Sequence, residues 1–372
     1  MTWVNPDWST IVEWNAALED KEERELVPRD YLWASELGKS PIDVILRMKG
    51  VAETNPPNGR SKRKFEAGNY MEWLVSLVYT RAGILKSKQQ RIEHQYPGLL
   101  KVTGKSDFLV GGIPDYAEWE RTEAMMRELN MPDFVFRTAS AIRKGLAEKY
   151  PEGLAEKFIE VKSMSGRMFE LMEKRAKEVN GKKVWTGMAG HRKQLFHYLK
   201  GANYPSGDIL YVEKDSLLLS EVPVHNPGEV EAEYRQAIEV LTQYYETAKD
   251  MPVESFVKDY AIGQPSVFEW KEGLPHPEPL VVFSEDLGKF SKNFNVEYSS
   301  YLSLLYGFQQ PADYDAAFQP LVGRWNRVLT RCKNGDKMTP KNLEVLDEIR
   351  NHNFDIEQIL RDFAAEAEEG EE

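Results

Sequence analysis

Phe158-Ile159-Glu160-Val161-Lys162 is a short apolar run that carries two charges, and the fold turns on how it is read. In an extended chain successive side chains alternate between faces, so Glu160 and Lys162 project from one side while Ile159 and Val161 point to the other. A carboxylate and an ammonium set side by side on a strand form either an ordinary same-face ion pair or part of a charged site. Glu-x-Lys occurs three times in the chain, at Glu19, Glu160 and Glu269. Of the three, Glu160 has the cleanest short apolar strand and the most basic surroundings.

Outward from this strand, the pattern predicts helices over 167–179 and 189–200, then two strands from Asp208 to Val224 that turn near Lys214-Asp215. A long helix is expected from about Glu229 to Lys249. Upstream, a helical pattern over Phe65 to Tyr79 ends at Gly83, and extended chain begins near Arg91. Leu99 to Val110 reads as two strands or a hairpin around Gly104, closed by Gly111-Gly112. Residues 8–25 and Ser35 to Gly50 read as further helices, followed by a loop at Asn55 to Gly59. Residues 116–130 and 139–150 read as helices of an insertion covering about 112–156. Strands alternating with helices imply an α/β fold with a mixed central sheet flanked by helices. Four prolines between Pro265 and Pro279 predict a linker over 263–280. Residues 281–372 then read as a helical C-terminal region ending in the acidic tail Glu366 to Glu372.

Composition narrows the function classes. The chain has 372 residues, 41% hydrophobic and 29% charged, and no apolar run reaches the roughly 18–20 residues of a membrane helix. No membrane partner is expected. Met1 to Asp20 lacks the basic start and apolar centre of a secretory signal, so a cytoplasmic location is expected. Cys332 is the single cysteine, which excludes an internal disulfide and a cysteine-ligated iron–sulfur cluster or zinc knot built from one chain. The net charge of −12 argues superficially against nucleic acid, yet residues 57–110 carry +6 and residues 141–200 carry +7. The phosphate loop of ATPases, the dinucleotide-binding glycine motif, the zincin motif and the serine-hydrolase elbow are all missing.

Chemistry-bearing residues fall inside those two basic stretches. Asp107 follows the glycine of Gly104-Lys105-Ser106-Asp107 and reads as either a hairpin-capping aspartate or a metal ligand. His191, Gln194 and Tyr198 share one face of their helix at spacings of three and four. Gln-x-x-x-Tyr recurs at Gln310 and Tyr314, where Pro311 argues against a regular helix. Gly68, Glu72, Val75 and Tyr79 form one stripe of the helix near Phe65, so Glu72 needs a cation, a hydrogen-bond donor or a helix end, with a structural salt bridge as the alternative.

The order Gly68-x-x-x-Glu72, Gly104-x-x-Asp107, Glu160-x-Lys162, Gln194-x-x-x-Tyr198 resembles the PD-(D/E)XK nuclease superfamily, in its RecB-type and lambda-exonuclease-like branch. Ala34-Ser35-Glu36-Leu37-Gly38-Lys39-Ser40-Pro41 also resembles the opening of the CRISPR-associated RecB-like exonucleases. The resemblance covers about residues 30–250 and implies a restriction-endonuclease-like fold over 1–262. It implies that Asp107 and Glu160, with the Val161 carbonyl, bind magnesium or manganese, that Lys162 is the catalytic lysine, and that Gln194 and Tyr198 orient the site. Glu72 matches a position assigned to metal or water binding. Cluster-bearing relatives have a cysteine where this chain has Ser40, so no iron–sulfur cluster is expected. The 52 residues between Asp107 and Glu160 exceed a hairpin turn, hence the insertion.

The function implied is a metal-dependent deoxyribonuclease, an exonuclease ahead of an endonuclease, in recombination, repair or phage replication. The rival from another class is a catalytically idle DNA- or protein-binding module. Lys101, Lys105, Arg167, Arg192, Lys193 and Lys200 are the candidates for backbone phosphates. DNA is the expected partner, with a helicase or strand-annealing protein as a possible second one, and a homo-oligomer is left open.

Overall fold

The computed structural model describes residues 27–57, 59–130, 144–174, 176–179, 182–253, 278–284, 288–352 and 354–361. The helix expected over 8–25, the start of the one expected over 139–150, most of the 263–280 linker and the acidic tail lie outside them.

The described residues divide into two compact units, the first within Arg29–Gly38 and Pro57–Thr242, the second within 27–28, Lys39–Pro56 and from Gln243 onward. The first is an α/β unit on a six-stranded mixed sheet of order β1-β3-β4-β7-β8, with β2 also paired to β3. The strands are β1 (Tyr31–Trp33), β2 (Leu85–His94), β3 (Lys101–Gly112), β4 (Leu154–Met164), β7 (Ser206–Glu213) and β8 (Leu219–His225). A separate hairpin of β5 (Lys177–Val179) and β6 (Lys182–Val184) stands where the sequence pattern extends a helix to 179. The helices are α1 (Gly59–Ala82), α2 (Ala117–Glu128), α3 (Gly166–Lys174), α4 (Ala189–Ala202) and α5 (Val230–Ala248).

Alternation on the strands decides what covers each face. Phe108, Val110, Ile159, Val161, Leu210 and Val212 form one buried cluster under Met71, Val75 and Tyr79 of α1. On the opposite face α4 lies close to the sheet, with Tyr198 against Gly104 and Leu195 against Gly207. Gly83 ends α1 in a left-handed conformation, φ +69°, as expected, its amide bonded to the Thr80 carbonyl.

Two expectations are corrected. Gly104 is no turn: β3 runs unbroken through it, and the antiparallel partner of β3 is β2, with Ile92 opposite Gly104. The glycine is required by packing, because a Cβ there would lie 2.8 Å from Tyr198 Cε1 and 2.9 Å from Ala34 Cβ. Gly104→Ala is therefore expected to destabilise by about 1–3 kcal/mol, read as a lower urea midpoint at constant slope. Ser35 to Gly50 is likewise no single helix. Strand β1 and a 3₁₀ turn over Ala34–Glu36 precede a helix over Pro41–Met48.

The C-terminal region is mostly helical, as expected. An antiparallel hairpin of Val281–Ser284 and Lys289–Lys292 joins the helices Pro311–Lys333 and Pro340–Asn351 around Phe290, Trp325, Leu346 and Ile349. Pro311 starts its helix at the first position, where the missing amide hydrogen goes unused, so the expected break does not occur. The segment 39–56 belongs here through contacts far apart in sequence: Asp43 accepts from Ser299 Oγ at 2.9 Å, and the Tyr301 hydroxyl donates to the Val51 carbonyl at 2.9 Å. Among the described residues no helix is long and apolar enough to cross a membrane.

Candidate active site

Strand pairing creates the opening in which the charged residues meet. One edge of β3 pairs with β1 at Lys101 to Thr103 and with β4 from Phe108 onward. Between these, from Gly104 to Asp107, neither strand pairs with that edge. Beyond Ile159, β4 likewise keeps only its parallel partner β7, with Glu160 opposite Ile209 and Lys162 opposite Tyr211. The two strands part where β3 reaches Asp107 and β4 reaches Glu160.

A backbone amide exposed by that parting is used at once. Val161 N–H donates to Asp107 Oδ2 at 2.8 Å, which ties the aspartate to β4. Within a strand the N–H and C=O of one residue point to the same side, so the Val161 carbonyl faces the same opening. Glu160 is 1% exposed and accepts from Lys162 Nζ at 2.6 Å through Oε1, while its Oε2 is buried with no hydrogen-bond partner. The same-face pair read from the sequence is thus present, with one carboxylate oxygen unused.

The electrostatics ask for a cation. Burial, then the charges of Glu160 and Glu72, raise the Asp107 pKa well above its ordinary 3.8, against Lys162 and the Val161 amide. Burial also raises Glu160, with Lys162 opposing. For Lys162, burial alone would lower the pKa, but Glu160, Asp107 and Glu72 together raise it, so the side chain is an ammonium ion. Three carboxylates act on one ammonium.

Among the described residues no group of three or more His, Cys, Asp or Glu side chains is arranged to hold a metal. Two carboxylates and a backbone carbonyl still suit magnesium, which keeps several waters and takes one or two carboxylates together with substrate phosphates. The orphaned Glu160 oxygen fits such an ion. Glu72 is not brought into a ligand set with Asp107 and Glu160; its Oε1 accepts from Gln89 Nε2 at 2.8 Å. Of the partners left open for this acid, a hydrogen-bond donor is present.

Helix α4 supplies the third side. Gln194 Nε2 donates to the Tyr198 hydroxyl at 3.0 Å, and both residues are buried. Burial, then the Glu160 charge, raises the Tyr198 pKa, so it is a neutral phenol with its own proton to give. His191, one turn earlier, has Nδ1 3.0 Å from the Tyr211 hydroxyl. Tyr211 was not singled out in the sequence. Its only signal there is its place on the strand Asp208 to Val212.

The phosphate candidates separate. Lys101 pairs with Glu93 at 3.3 Å, Arg192 with Glu229 and Glu233 at 3.5 Å, and Lys200 with Glu231 at 2.6 Å. Burial lowers the pKa of Lys193. Lys105 and Arg167 are exposed and have no ion pair among the described residues.

No protein-family model matches this chain, and no curated protein matches it. A solved structure described as the crystal structure of SSO0001 is similar to it at 12% identity and a TM-score of 0.37, over 70% of this chain and 98% of that one.

Proposed function

We propose that this protein is a metal-dependent deoxyribonuclease of the RecB-type branch of the PD-(D/E)XK superfamily, acting as an exonuclease on DNA ends. The observation that carries the reading is the parting of β3 and β4. It leaves Asp107 and Glu160 at one opening, with Lys162 bonded to Glu160 and one Glu160 oxygen without a partner.

Asp107, Glu160 and the Val161 carbonyl would hold magnesium or manganese. Such an ion, when bound, supplies positive charge against phosphate oxygens and makes water a better nucleophile at neutral pH. Lys162, bonded to Glu160, would steady the attacking water or a phosphate oxygen, or take the water's proton. Gln194 holds Tyr198, whose hydroxyl proton is available to the carboxylates or to the DNA strand. Lys105 and Arg167 suit backbone phosphates, which position a strand without reading its sequence. Lys101, Arg192 and Lys200 would have to exchange a carboxylate partner for a phosphate. With no ATP-binding loop in the sequence, strand separation would fall to a partner such as a helicase or a strand-annealing protein.

End-labelled linear duplex incubated with magnesium is expected to shorten from its ends while a closed circular duplex survives, and EDTA is expected to stop the reaction. Cleavage of the circle would select an endonuclease of the same fold. Retention of DNA in a gel shift without hydrolysis of either substrate would select an idle binding module.

A further inference from the structure

We infer that His191 is a further catalytic residue of the proposed hydrolysis, a neutral imidazole whose Nε2–H is fixed as a hydrogen-bond donor to a phosphate oxygen of the substrate. The inference rests on the nuclease reading above and adds a residue to it.

A relay of three groups sets the ring. The Met188 amide lies 3.2 Å from the Tyr211 hydroxyl, and that hydroxyl lies 3.0 Å from His191 Nδ1. An amide N–H only donates, so it occupies a lone pair of the phenol oxygen and leaves the phenol proton to be placed elsewhere. Tyr211 is 0% exposed, and no other acceptor for that proton is found among the described residues. A buried hydroxyl without an acceptor is costly, so the proton goes to Nδ1 and the ring hydrogen sits on Nε2. Burial, followed by the charge of Lys162, lowers the His191 pKa to about 3, which keeps the ring neutral.

Placement gives the donor its use. His191 shares a face of α4 with Gln194 and Tyr198, and Tyr211 stands opposite Lys162 across β4 and β7. Nε2 has no partner among the described residues. A neutral N–H beside an ammonium suits an anionic, oxygen-rich ligand that already faces Lys162, and a phosphodiester has that chemistry. A donor held in place before charge develops does not have to reorganise during the reaction. Tyr211 is the positioning residue, because it fixes which nitrogen carries the hydrogen.

Long-range proton–nitrogen spectra of the full chain at neutral pH are expected to show His191 as the Nε2–H tautomer. Its Nε2 resonance should move when a thymidine dinucleotide is added with calcium in place of magnesium. Tyr211→Phe is expected to shift the ring toward a mixture of tautomers. In turnover assays His191→Ala is expected to lower kcat by about 10²-fold with KM little changed, and His191→Gln, which keeps an N–H, to recover most of the loss. An Nδ1–H or charged ring, a silent dinucleotide titration, or His191→Ala cleaving as fast as the parent would overturn the assignment. An active parent matched by His191→Ala removes the assignment and leaves the nuclease reading standing. An inactive parent whose Nε2 still responds to the dinucleotide removes the nuclease reading and keeps His191 as a phosphodiester donor.

Discussion

Asp107→Asn is expected to abolish magnesium-dependent DNA hydrolysis and, in EDTA at neutral pH, to raise the melting temperature. The two effects have one origin. Folding raises the pKa of Asp107 well above 3.8, through burial and then the charges of Glu160 and Glu72. A folded-state pKa above the unfolded one means that the native protein binds the proton more tightly. The stability so gained is fully present below the unfolded value and is lost as the pH rises through the folded value. At neutral pH without metal the ionised aspartate therefore opposes folding. Asparagine keeps an oxygen for the Val161 amide, now 2.8 Å from Asp107 Oδ2, and removes the charge. Each kcal/mol recovered corresponds to about 2–4 °C in a unit of this size. Losing one of two charged ligands removes several kcal/mol of transition-state stabilisation, about 10²–10⁴-fold in rate. Added magnesium should raise the melting temperature of the parent and leave that of the variant where it was. A variant that melts below the parent in EDTA would contradict the electrostatic account, and one that still cleaves would contradict the ligand assignment.

Lys162→Met carries the opposite sign for stability. Glu160 is 1% exposed and has Lys162 Nζ at 2.6 Å on Oε1, with nothing on Oε2. Removing the ammonium leaves a buried charge without a partner, which costs about 3–5 kcal/mol near neutral pH. Because burial already raises the Glu160 pKa, the variant escapes the penalty by taking up a proton, so its deficit should shrink as the pH falls. Urea unfolding at neutral and acidic pH reads this directly. Adding Glu160→Gln to Lys162→Met should return most of the lost stability, since the buried Glu160 charge goes with its partner, while activity stays absent. Recovery of cleavage in that double variant would show that these two residues serve packing alone.

Relations within one element were legible from the residues. The strand alternation set Glu160 and Lys162 against Ile159 and Val161, and the cluster formed by Ile159 and Val161 under α1 follows that division. The helical spacing that joined His191, Gln194 and Tyr198 gives a helix over Ala189–Ala202 and a bond between the last two. The α/β class with a mixed, helix-flanked sheet was legible for the same reason. Relations between elements were not. Gly104 looked like a turn because a glycine in an apolar stretch signals a turn, a bulge or a close approach alike, and only Tyr198, 94 residues later, decides among them. The Gln89 amide that bonds Glu72 comes from β2, 17 residues later, and no spacing within α1 signals it. Lys101, Arg192 and Lys200, counted as a phosphate track, pair with acids that lie on other elements or across a strand pair, which their local spacing does not signal.

The sequence by itself determined which side chains share a face, because a period of two or of 3.6 is a property of the local backbone. Tertiary structure alone decided that β3 and β4 part at Asp107 and Glu160, that one carboxylate oxygen is sealed from water without a partner, and that the Tyr211 hydroxyl meets His191 Nδ1. These depend on strand register and burial, which are fixed by packing over long sequence separations and leave no mark on the spacing of the residues involved.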